Sequence, residues 1–223
     1  LYANTSGSHN TAVGADALDA NTTANDNTAV GHQALSTNIS GTKNTAVGKG
    51  ALTTNAISNN TAIGYNAMNL NTTGANNTAL GSFAMENNTT GTRNLAIGYA
   101  AYDASDTEND NIAIGYNAMT VNTAGGTKNI AVGNYALDAL TSGDNNVALG
   151  YNALTGNTSG VFNTAIGNSA FALAVTGDYN TGVGGYACQA LTSGSSNAGV
   201  GYGSLYEITT GDNNAASGGQ SGE

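Results

Sequence analysis

One short motif, Asn-x-Ala-(Val/Ile/Leu)-Gly, recurs along the whole chain. Successive copies follow one another at a 17-residue period, apart from one 16-residue step and one 18-residue step. The thirteen copies begin at Asn10, Asn27, Asn44, Asn60, Asn77, Asn94, Asn111, Asn129, Asn146, Asn163, Asn180, Asn197 and Asn214. Two of them replace the Ala with Gly182 and Gly199, and the last has Ser217 at the aliphatic position. A fixed short period is typical of repeat architectures, in which each unit packs only against its neighbours. The chain is therefore expected to form a solenoid, with one turn of the chain for each repeat.

Small and apolar residues keep fixed places within the unit, whose positions we number 1 to 17 from the Asn. Position 5 is Gly in all thirteen units, position 8 is Ala in eleven, and position 4 is aliphatic in twelve. A helix fits poorly, because a Gly in every unit would cost about 1 kcal/mol relative to Ala. The alternation over positions 1 to 5 instead predicts a short strand, with positions 2 and 4 on one face and position 3 on the other. Positions 6 to 9 predict a second short strand, and positions 12 to 17 a turn rich in Thr, Gly and Asp.

The predicted fold class is all-β: a parallel β-solenoid (β-roll) of thirteen 17-residue coils, forming a single repeat array over residues 1–223. Like strands of successive coils should stack in parallel at about 4.8 Å. The 16-residue unit loses a residue within Thr53–Asn59, and the 18-residue unit gains one near Gly125 and Gly126. Because both changes lie in the turn, the strands are expected to keep their register.

Two further columns of residues are predicted to face inward. Position 9 is large and apolar in almost every unit, and it collects all three Met residues and the single Cys, Cys188. Position 12 is Asn in Asn4, Asn21, Asn38, Asn55, Asn71, Asn88, Asn122 and Asn157, but it becomes Leu140, Ala174, Leu191 and Ile208 towards the end. A buried amide must be hydrogen-bonded, so these Asn residues are predicted to form a ladder with their own copies on neighbouring coils. The Asn at position 1 either forms a second ladder or serves as a turn residue in solvent.

The Gly at position 5 has two interpretations. Together with the Ala or Gly at position 3, it would give the strand one flat face of small residues, on which backbones can approach closely around a threefold axis. Alternatively, it turns a corner of the coil at which φ must be positive. The sequence leaves both interpretations open.

The charge and hydropathy of the chain exclude several classes of partner. Fourteen acidic residues stand against only Lys43, Lys49, Arg93 and Lys128, which gives a net charge of −10. A surface so poor in cations cannot neutralise phosphates, so we expect no nucleic-acid partner. No apolar run approaches the roughly 20 residues of a membrane span, so we expect no membrane insertion. Since Cys188 is alone, the chain cannot form an internal disulfide.

No residue pattern typical of an enzyme or a cofactor site recurs in the sequence. The two His residues, His9 and His32, lie at variable positions, and no nucleophile is paired with a base at a fixed place. Asp144, Asp178 and Asp212 share position 16. Calcium prefers six to eight oxygen ligands, so an Asp in a Gly-Asp turn is the simpler interpretation of these three. We therefore predict a non-enzymatic protein without catalytic, cofactor-binding or metal-binding residues.

Aromatic residues form the one candidate recognition stripe. Position 6 holds Tyr65, Tyr99, Tyr116, Tyr151 and Tyr202, and position 7 holds Phe83, Tyr135 and Tyr186 in repeats that lack the position-6 Tyr. Exposed Tyr rings beside Asn side chains are suited to stacking on sugars, which makes a cell-surface glycan a candidate partner. The alternative is that these rings cover subunit seams or shield the edges of the coils. Adjacent Thr residues in the turns raise ice binding as a further function. They fit it poorly, because ice-binding faces usually need Thr residues two apart on a strand.

The repeat resembles a known family. Its units NTAIGYNAM (60–68), NIAIGYNAM (111–119) and NVALGYNAL (146–154), joined by NTTG or NTSG, are similar to the repeats of YadA-type adhesin heads. They are closer still to the NTAxGxxAL repeats of phage tail fibres and surface adhesins, often found upstream of an endosialidase-type intramolecular chaperone. The resemblance implies a parallel β-roll, homotrimerisation along the fibre, and attachment to a host or a surface. With its 17-residue period, the unit is longer than the YadA-head coil.

The sequence thus predicts a structural shaft or adhesive fibre segment of a phage tail fibre or bacterial surface adhesin, which supports host or surface attachment. Such a protein would be extracellular, on a cell or virion surface, and would self-associate as a homotrimer. The chain begins at position 9 of a unit, so we expect a segment of a longer fibre. In a shaft, only positions 1, 4, 5, 8, 9 and 12 need to be fixed. The alternative is a solenoid whose side face binds a ligand, either glycan or ice, although position 6 varies too much for a uniform face.

Overall fold

Each repeat carries one strand of three residues, at positions 2 to 4. The computed structural model describes residues 1–122, 125–173 and 175–222, and none of these lies in a helix. The strands are β1 (Thr11–Val13), β2 (Thr28–Val30), β3 (Thr45–Val47), β4 (Thr61–Ile63), β5 (Thr78–Leu80), β6 (Leu95–Ile97), β7 (Ile112–Ile114), β8 (Ile130–Val132), β9 (Val147–Leu149), β10 (Thr164–Ile166), β11 (Thr181–Val183), β12 (Ala198–Val200) and β13 (Ala215–Ser217). The predicted position-12 residue Ala174 lies outside the described residues.

The chain divides into two compact units, Leu1–Asp110 and Asn111–Glu223. The first unit contains β1 to β6, and each of these strands pairs in parallel with the next. The second unit contains β7 to β13, paired in the same way. Each repeat therefore makes one turn of the chain, which confirms the predicted parallel β-solenoid within each unit.

The strands keep their register where the repeat changes length. Thr45 pairs with Thr61 across the shorter step, and Ile112 pairs with Ile130 across the longer one. Both changes lie between the position-12 Asn and the carbonyl to which its Nδ2 donates. That carbonyl belongs to the third residue after the Asn in a regular coil, to the second after Asn55, and to the fourth after Asn122. The prediction that length changes are confined to the turn is confirmed.

The second strand predicted at positions 6 to 9 is wrong. These residues form turns, because the chain takes a positive φ at positions 7 and 9, as at Asn66 (52°) and Met68 (53°). The coils remain hydrogen-bonded here without an extended backbone. The Asn66 N–H donates to Lys49 O of the preceding coil at 2.9 Å, and the Met68 N–H donates to Ala84 O of the following coil at 3.0 Å.

The core is thin and consists mainly of the side chains at positions 3, 8 and 9. Ala62, Ala67 and Met68 are fully buried and represent these three columns. The side chains at positions 2 and 4 point outward, because successive side chains of a strand alternate between its faces. The small residues at position 3 were candidates for an outer flat face. That interpretation is wrong, because position 3 faces the core, where it lies beside the large position-9 side chain.

The Gly at position 5 turns a corner of the coil. Its φ is 136° in Gly31 and 141° in Gly150, a region of backbone conformation open almost only to Gly. A Cβ at Gly31 would also lie 2.5 Å from Gly48 O in the next coil. Of the two interpretations of position 5, the corner with positive φ is confirmed.

Candidate interaction surface

An uncharged apolar surface runs along the outside of the sheet. We call the side chains at positions 2 and 4 the outer sheet face. Every one of these residues is uncharged, and position 4 is aliphatic in every repeat except the last. Single exposed aliphatic side chains are normal on a soluble protein, whereas a contiguous apolar patch typically marks an interaction site.

In the first unit the outer sheet face combines Thr and aliphatic side chains. Position 2 is Thr in β1 to β5, and position 4 carries Val13, Val30, Val47, Ile63, Leu80 and Ile97. Val13, Ile63 and Leu80 are exposed, and the other three are half-buried by their neighbours. The register of the strands places these side chains in one straight column.

The outer sheet face of the second unit is more apolar at its start. Ile112, Ile130 and Val147 take position 2 where the first unit has mostly Thr, so both outward positions of β7 to β9 are aliphatic. Further along this unit position 2 becomes Thr and then Ala, while position 4 stays aliphatic up to Val200. Leu149 and Val200 are exposed in this column.

A buried Asn ladder fixes the backbone where each strand of this surface begins. The Asn77 N–H donates to Asn60 Oδ1 at 2.9 Å, and the Asn94 N–H donates to Asn77 Oδ1 at 2.9 Å. The Nδ2 of Asn77 donates to Gly91 O in its own coil at 2.7 Å. In the second unit the Asn146 N–H donates to Asn129 Oδ1 at 2.8 Å. The position-1 residues therefore form a ladder and are not turn residues in solvent.

The ladder predicted at position 12 is also present. Asn71 Nδ2 donates to Asn55 Oδ1 at 2.8 Å, and Asn88 Nδ2 donates to Asn71 Oδ1 at 2.9 Å. These amides are completely buried. Because both ladders use side chains to connect coils, they hold each strand at a fixed height and so keep the outer sheet face regular.

The acidic residues at position 16 connect coils as well. Asp144, Asp178 and Asp212 each accept a hydrogen bond from a backbone N–H of the preceding coil. The donors are Thr127, Val161 and Ser195, at 2.7, 2.8 and 2.7 Å. Among the residues that the structure describes, no group of three or more His, Cys, Asp or Glu side chains is placed to hold a metal ion. The carboxylates of this column serve the stacking of the coils.

The Tyr residues of the predicted stripe pack against aromatic side chains of adjacent coils. In the first unit Tyr65 and Tyr99 lie on either side of Phe83, with ring centroids 5.2 and 5.6 Å away and edge-to-face geometry. In the second unit Tyr116 and Tyr151 flank Tyr135 in the same way, at 5.5 and 6.0 Å, and Tyr202 packs on Tyr186 at 5.6 Å. Rings at positions 6 and 7 therefore interleave. A glycan-binding or interface role for the stripe stays a prediction.

The remaining titratable residues singled out in the sequence are placed apart from one another. His9 Nδ1 lies 3.4 Å from Asp26 Oδ1, and His32 Nε2 lies 3.8 Å from Asp16 Oδ2, all on exposed side chains. Cys188 belongs to the position-9 column of the core, and burial raises the pKa of its thiol to about 12. A thiol with so high a pKa is a poor nucleophile at neutral pH.

Comparisons with protein-family models, with curated proteins and with solved structures found no match to this chain. Among the described residues, no helix has the length and hydrophobicity needed to cross a membrane. The assignment of a function therefore rests on the geometry of the chain itself.

The outer sheet face was not predicted from the sequence, although the columns that form it were. Positions 2 and 4 were expected on one face of the strand, but that face was not assigned to the surface. A usable signal was present: position 3 is never larger than Ala, and position 9 supplies the bulk of the core. When the inner column of a strand is restricted to the smallest residues, its aliphatic partners must be outside.

Proposed function

We propose that this chain is a structural segment of an extracellular fibre, in which copies associate side by side through their outer sheet faces. Its role is non-enzymatic: it provides a stiff shaft that supports attachment of a virion or a cell to a host or surface. Three copies is the number implied by the repeat family that the sequence resembles. The fibre would lie on the surface of a virion or a bacterial cell.

The observation that carries this proposal is the uncharged, aliphatic outer sheet face. The molecule has a net charge of −10, yet none of its charged residues occupies position 2 or 4 of any repeat. Charged residues are typically depleted at the core of a protein interface, and apolar side chains there gain from leaving water. This distribution is expected of a surface that is covered by another chain.

A second copy of the chain is the occupant whose geometry fits this surface best. The face repeats once per coil, and the strand pairing keeps its columns straight within each unit. A partner that matches such a surface over many coils must repeat with the same period. Identical copies in parallel meet this requirement, because their coils have the same rise and the same small irregularities of length.

Sedimentation of the wild type and two double Leu→Lys variants tests the proposal. The wild type should sediment at three times the 22.0 kDa mass of the chain. Substituting Leu80→Lys and Leu149→Lys together places a charge on the outer sheet face of each unit and should yield single chains. The matched control is Leu70→Lys with Leu173→Lys, which lie outside positions 2 and 4 and should leave the mass unchanged. The four side chains are similarly exposed, at 44%, 45%, 43% and 49%.

Two results of this experiment contradict the proposal. A wild type that remains at 22.0 kDa over the accessible range of concentrations has no self-association to explain. A Leu80→Lys, Leu149→Lys protein that keeps the wild-type mass associates through some other surface. Circular dichroism of each variant shows whether the solenoid itself is intact.

Ice binding is a second candidate, favoured by a feature of the first unit. Position 2 is Thr in five successive strands, β1 to β5, and it faces outward beside the aliphatic position 4. These strand Thr residues are separate from the Thr pairs of the turns, which fit ice binding poorly. An ice-binding face must be free in solution, so this function requires single chains with thermal hysteresis, whereas the fibre requires an assembly without it.

A further inference from the structure

A cleft of about 350 Å³ opens on the side of the second unit, away from the outer sheet face. We call it the tyrosine cleft. Its lining residues come from three successive coils: Tyr186, Tyr202, Gly203, Tyr206, Glu207 and Gln220. A volume of a few hundred Å³ is within the range of small-ligand sites.

The absence of one side chain creates the cleft. Tyr186, Gly203 and Gln220 occupy position 7 in consecutive coils, and all have positive φ. A Cβ on Gly203 would lie 3.4 Å from Gln220 Cγ and 4.0 Å from Tyr206 Cδ2, in ordinary contact and not in a clash. The fold therefore has room for a larger residue at position 203, and Gly leaves that room empty.

Aromatic rings form the walls of the tyrosine cleft. The Tyr186 and Tyr202 rings meet at 76° with centroids 5.6 Å apart, so they form a corner. Tyr202 is 60% exposed and Tyr206 is 37% exposed, and both rings line the open side. Exposed Tyr rings combine a broad apolar surface with a hydroxyl group that donates and accepts hydrogen bonds.

Polar side chains complete the lining. The Glu207 carboxylate accepts hydrogen bonds, and the Gln220 amide both donates and accepts them. Both residues are exposed, and both lie beside the aromatic walls. The cleft therefore offers flat apolar surface together with a donor and several acceptors.

We propose that the tyrosine cleft binds a neutral saccharide. A sugar ring has an apolar face of C–H groups that stacks on Tyr, and its rim of hydroxyl groups both donates and accepts hydrogen bonds. An anionic sugar is disfavoured by Glu207 and by the net charge of −10. A quaternary ammonium group also binds among aromatic rings, but it offers nothing to the Gln220 amide and fills much less than this volume. The proposal does not depend on self-association, because the cleft shares no residue with the outer sheet face.

Saturation-transfer NMR with four disaccharides, namely lactose, maltose, cellobiose and chitobiose, tests the proposal on the full chain. Choline serves as the cationic probe. The wild type should bind at least one of the sugars. Gly203→Asn should fill the cleft and weaken that binding at least about tenfold, and Tyr202→Ala should weaken it similarly by removing a stacking surface.

Gly203→Asn is suited to this test because the fold already accepts it. Asn occupies position 7 with positive φ at Asn66, Asn117 and Asn152. The control is Gly50→Asn, the same change at the other position-7 Gly with positive φ, which lies in the first unit. Its Cβ would meet the end of the Asn66 side chain, which must shift to admit it. This control should bind sugar like the wild type.

Three outcomes overturn the proposal. The wild type binds none of the four sugars at millimolar concentration, it binds choline but no sugar, or Gly203→Asn binds as tightly as the wild type. Sedimentation of the same samples is an independent measurement, so a failure of the saccharide site is distinguishable from a failure of the fibre proposal.

Discussion

The position-12 column is polar in the first unit and largely apolar in the second. The first unit has six Asn residues there, at Asn4, Asn21, Asn38, Asn55, Asn71 and Asn88. The second unit has Leu140 and Leu191, both fully buried, in the same place. Since the strands pair identically around both kinds of residue, the fold itself does not decide between them.

The two kinds of residue differ in what they require of their neighbours. An Asn in this column donates to the Asn of the preceding coil, so Asn residues work best in runs. Each run of Asn residues ends with an acceptor that has no partner. Asn38 Oδ1 has none because Asn55 Nδ2 donates to Ile57 O and not to Asn38. Asn88 Oδ1 has none because the next residue of the column is Ser105. A Leu needs only apolar contact, so it can stand alone.

Isolated polar residues in this column satisfy themselves within their own coil. Asn157 accepts from the Gly160 N–H at 2.9 Å and donates to Gly160 O at 3.2 Å. Ser105 is too short for the ladder, and Glu108 fills the space: its Oε2 accepts from Ser105 Oγ at 3.1 Å and from the Asp106 N–H at 3.0 Å. This corner accepts both polar and apolar side chains, and a polar one finds partners for most, but not all, of its hydrogen-bonding groups.

The largest loss of stability is expected from replacing the position-5 Gly, and it should be the same in both units. Gly31→Ala and Gly150→Ala each place a Cβ at a positive φ and 2.5 Å from a carbonyl of the next coil. Backbone strain and overpacking together should cost about 3 kcal/mol or more. Amide hydrogen exchange, followed by mass spectrometry, should show lost protection around the substituted coil in either unit. A clear difference between the two variants would mean that the corner is not common to both units.

A smaller loss is expected from the apolar part of the column. Leu191→Ala removes a buried side chain of the second unit and should lower the free energy of unfolding by about 2–4 kcal/mol. Leu173→Ala, at an exposed Leu of the same unit, is the matched control and should change it by less than about 0.5 kcal/mol. Equal effects in chemical denaturation would show that position 12 is not part of the core.

Replacing a position-12 Asn by Leu should destabilise the first unit more than the second. Asn71→Leu removes two rungs of the ladder and should destabilise the first unit by about 1–3 kcal/mol, since buried polar groups lose partners. Asn157→Leu breaks no rung and removes only the hydrogen bonds to Gly160, with Leu140 as a precedent, so its cost should be smaller, at about 1 kcal/mol. Hydrogen exchange in the two units measures both effects. If Asn157→Leu were the more damaging change, the ladder would not be the source of stability.

The smallest effect is a pH dependence confined to the first unit. Burial, and repulsion from Glu86 in the preceding coil, raise the pKa of Asp103 from 3.8 to about 6. The folded state therefore retains a proton that the unfolded state loses, and stability falls as the pH rises from 3.8 to about 6. Asp103→Asn should remove this loss, which solvent limits to less than about 1 kcal/mol at a half-buried site. Unfolding curves at pH 4 and pH 7 test it, and an unchanged pH dependence in the variant would contradict the assignment.

Much of the fold was predictable because the repeat reports the same environment thirteen times. The coil length, the parallel register, the Asn ladder at position 12 and the confinement of length changes to the turn all follow from which columns vary, whereas the position-1 Asn column left two interpretations open. The Gly at position 3 of one repeat also has a local cause. A Cβ at Gly182 would lie 2.5 Å from Phe171 Cε2, so the coil after the large Phe ring has the smallest residue.

Other features depended on properties that the pattern does not encode. Leu and Met at position 9 rarely adopt positive φ, so nothing in their identity indicated that positions 6 to 9 form turns instead of a strand. The outward direction of position 4 depends on how little room the core leaves. The tyrosine cleft brings together residues of three coils, and only its Tyr186 and Tyr202 were among the aromatic residues singled out in the sequence.

The most direct test of the central claim, that copies meet through their outer sheet faces, uses single cysteines. The native Cys188 is buried with a pKa raised to about 12 by that burial, so an introduced surface thiol is the reactive one. Leu80→Cys and Leu149→Cys, each treated with a short bismaleimide, should form covalent dimers in high yield at micromolar protein. The controls Leu70→Cys and Leu173→Cys should remain single chains. Equal cross-linking of all four variants, or cross-linking only of the controls, would contradict assembly through the outer sheet face.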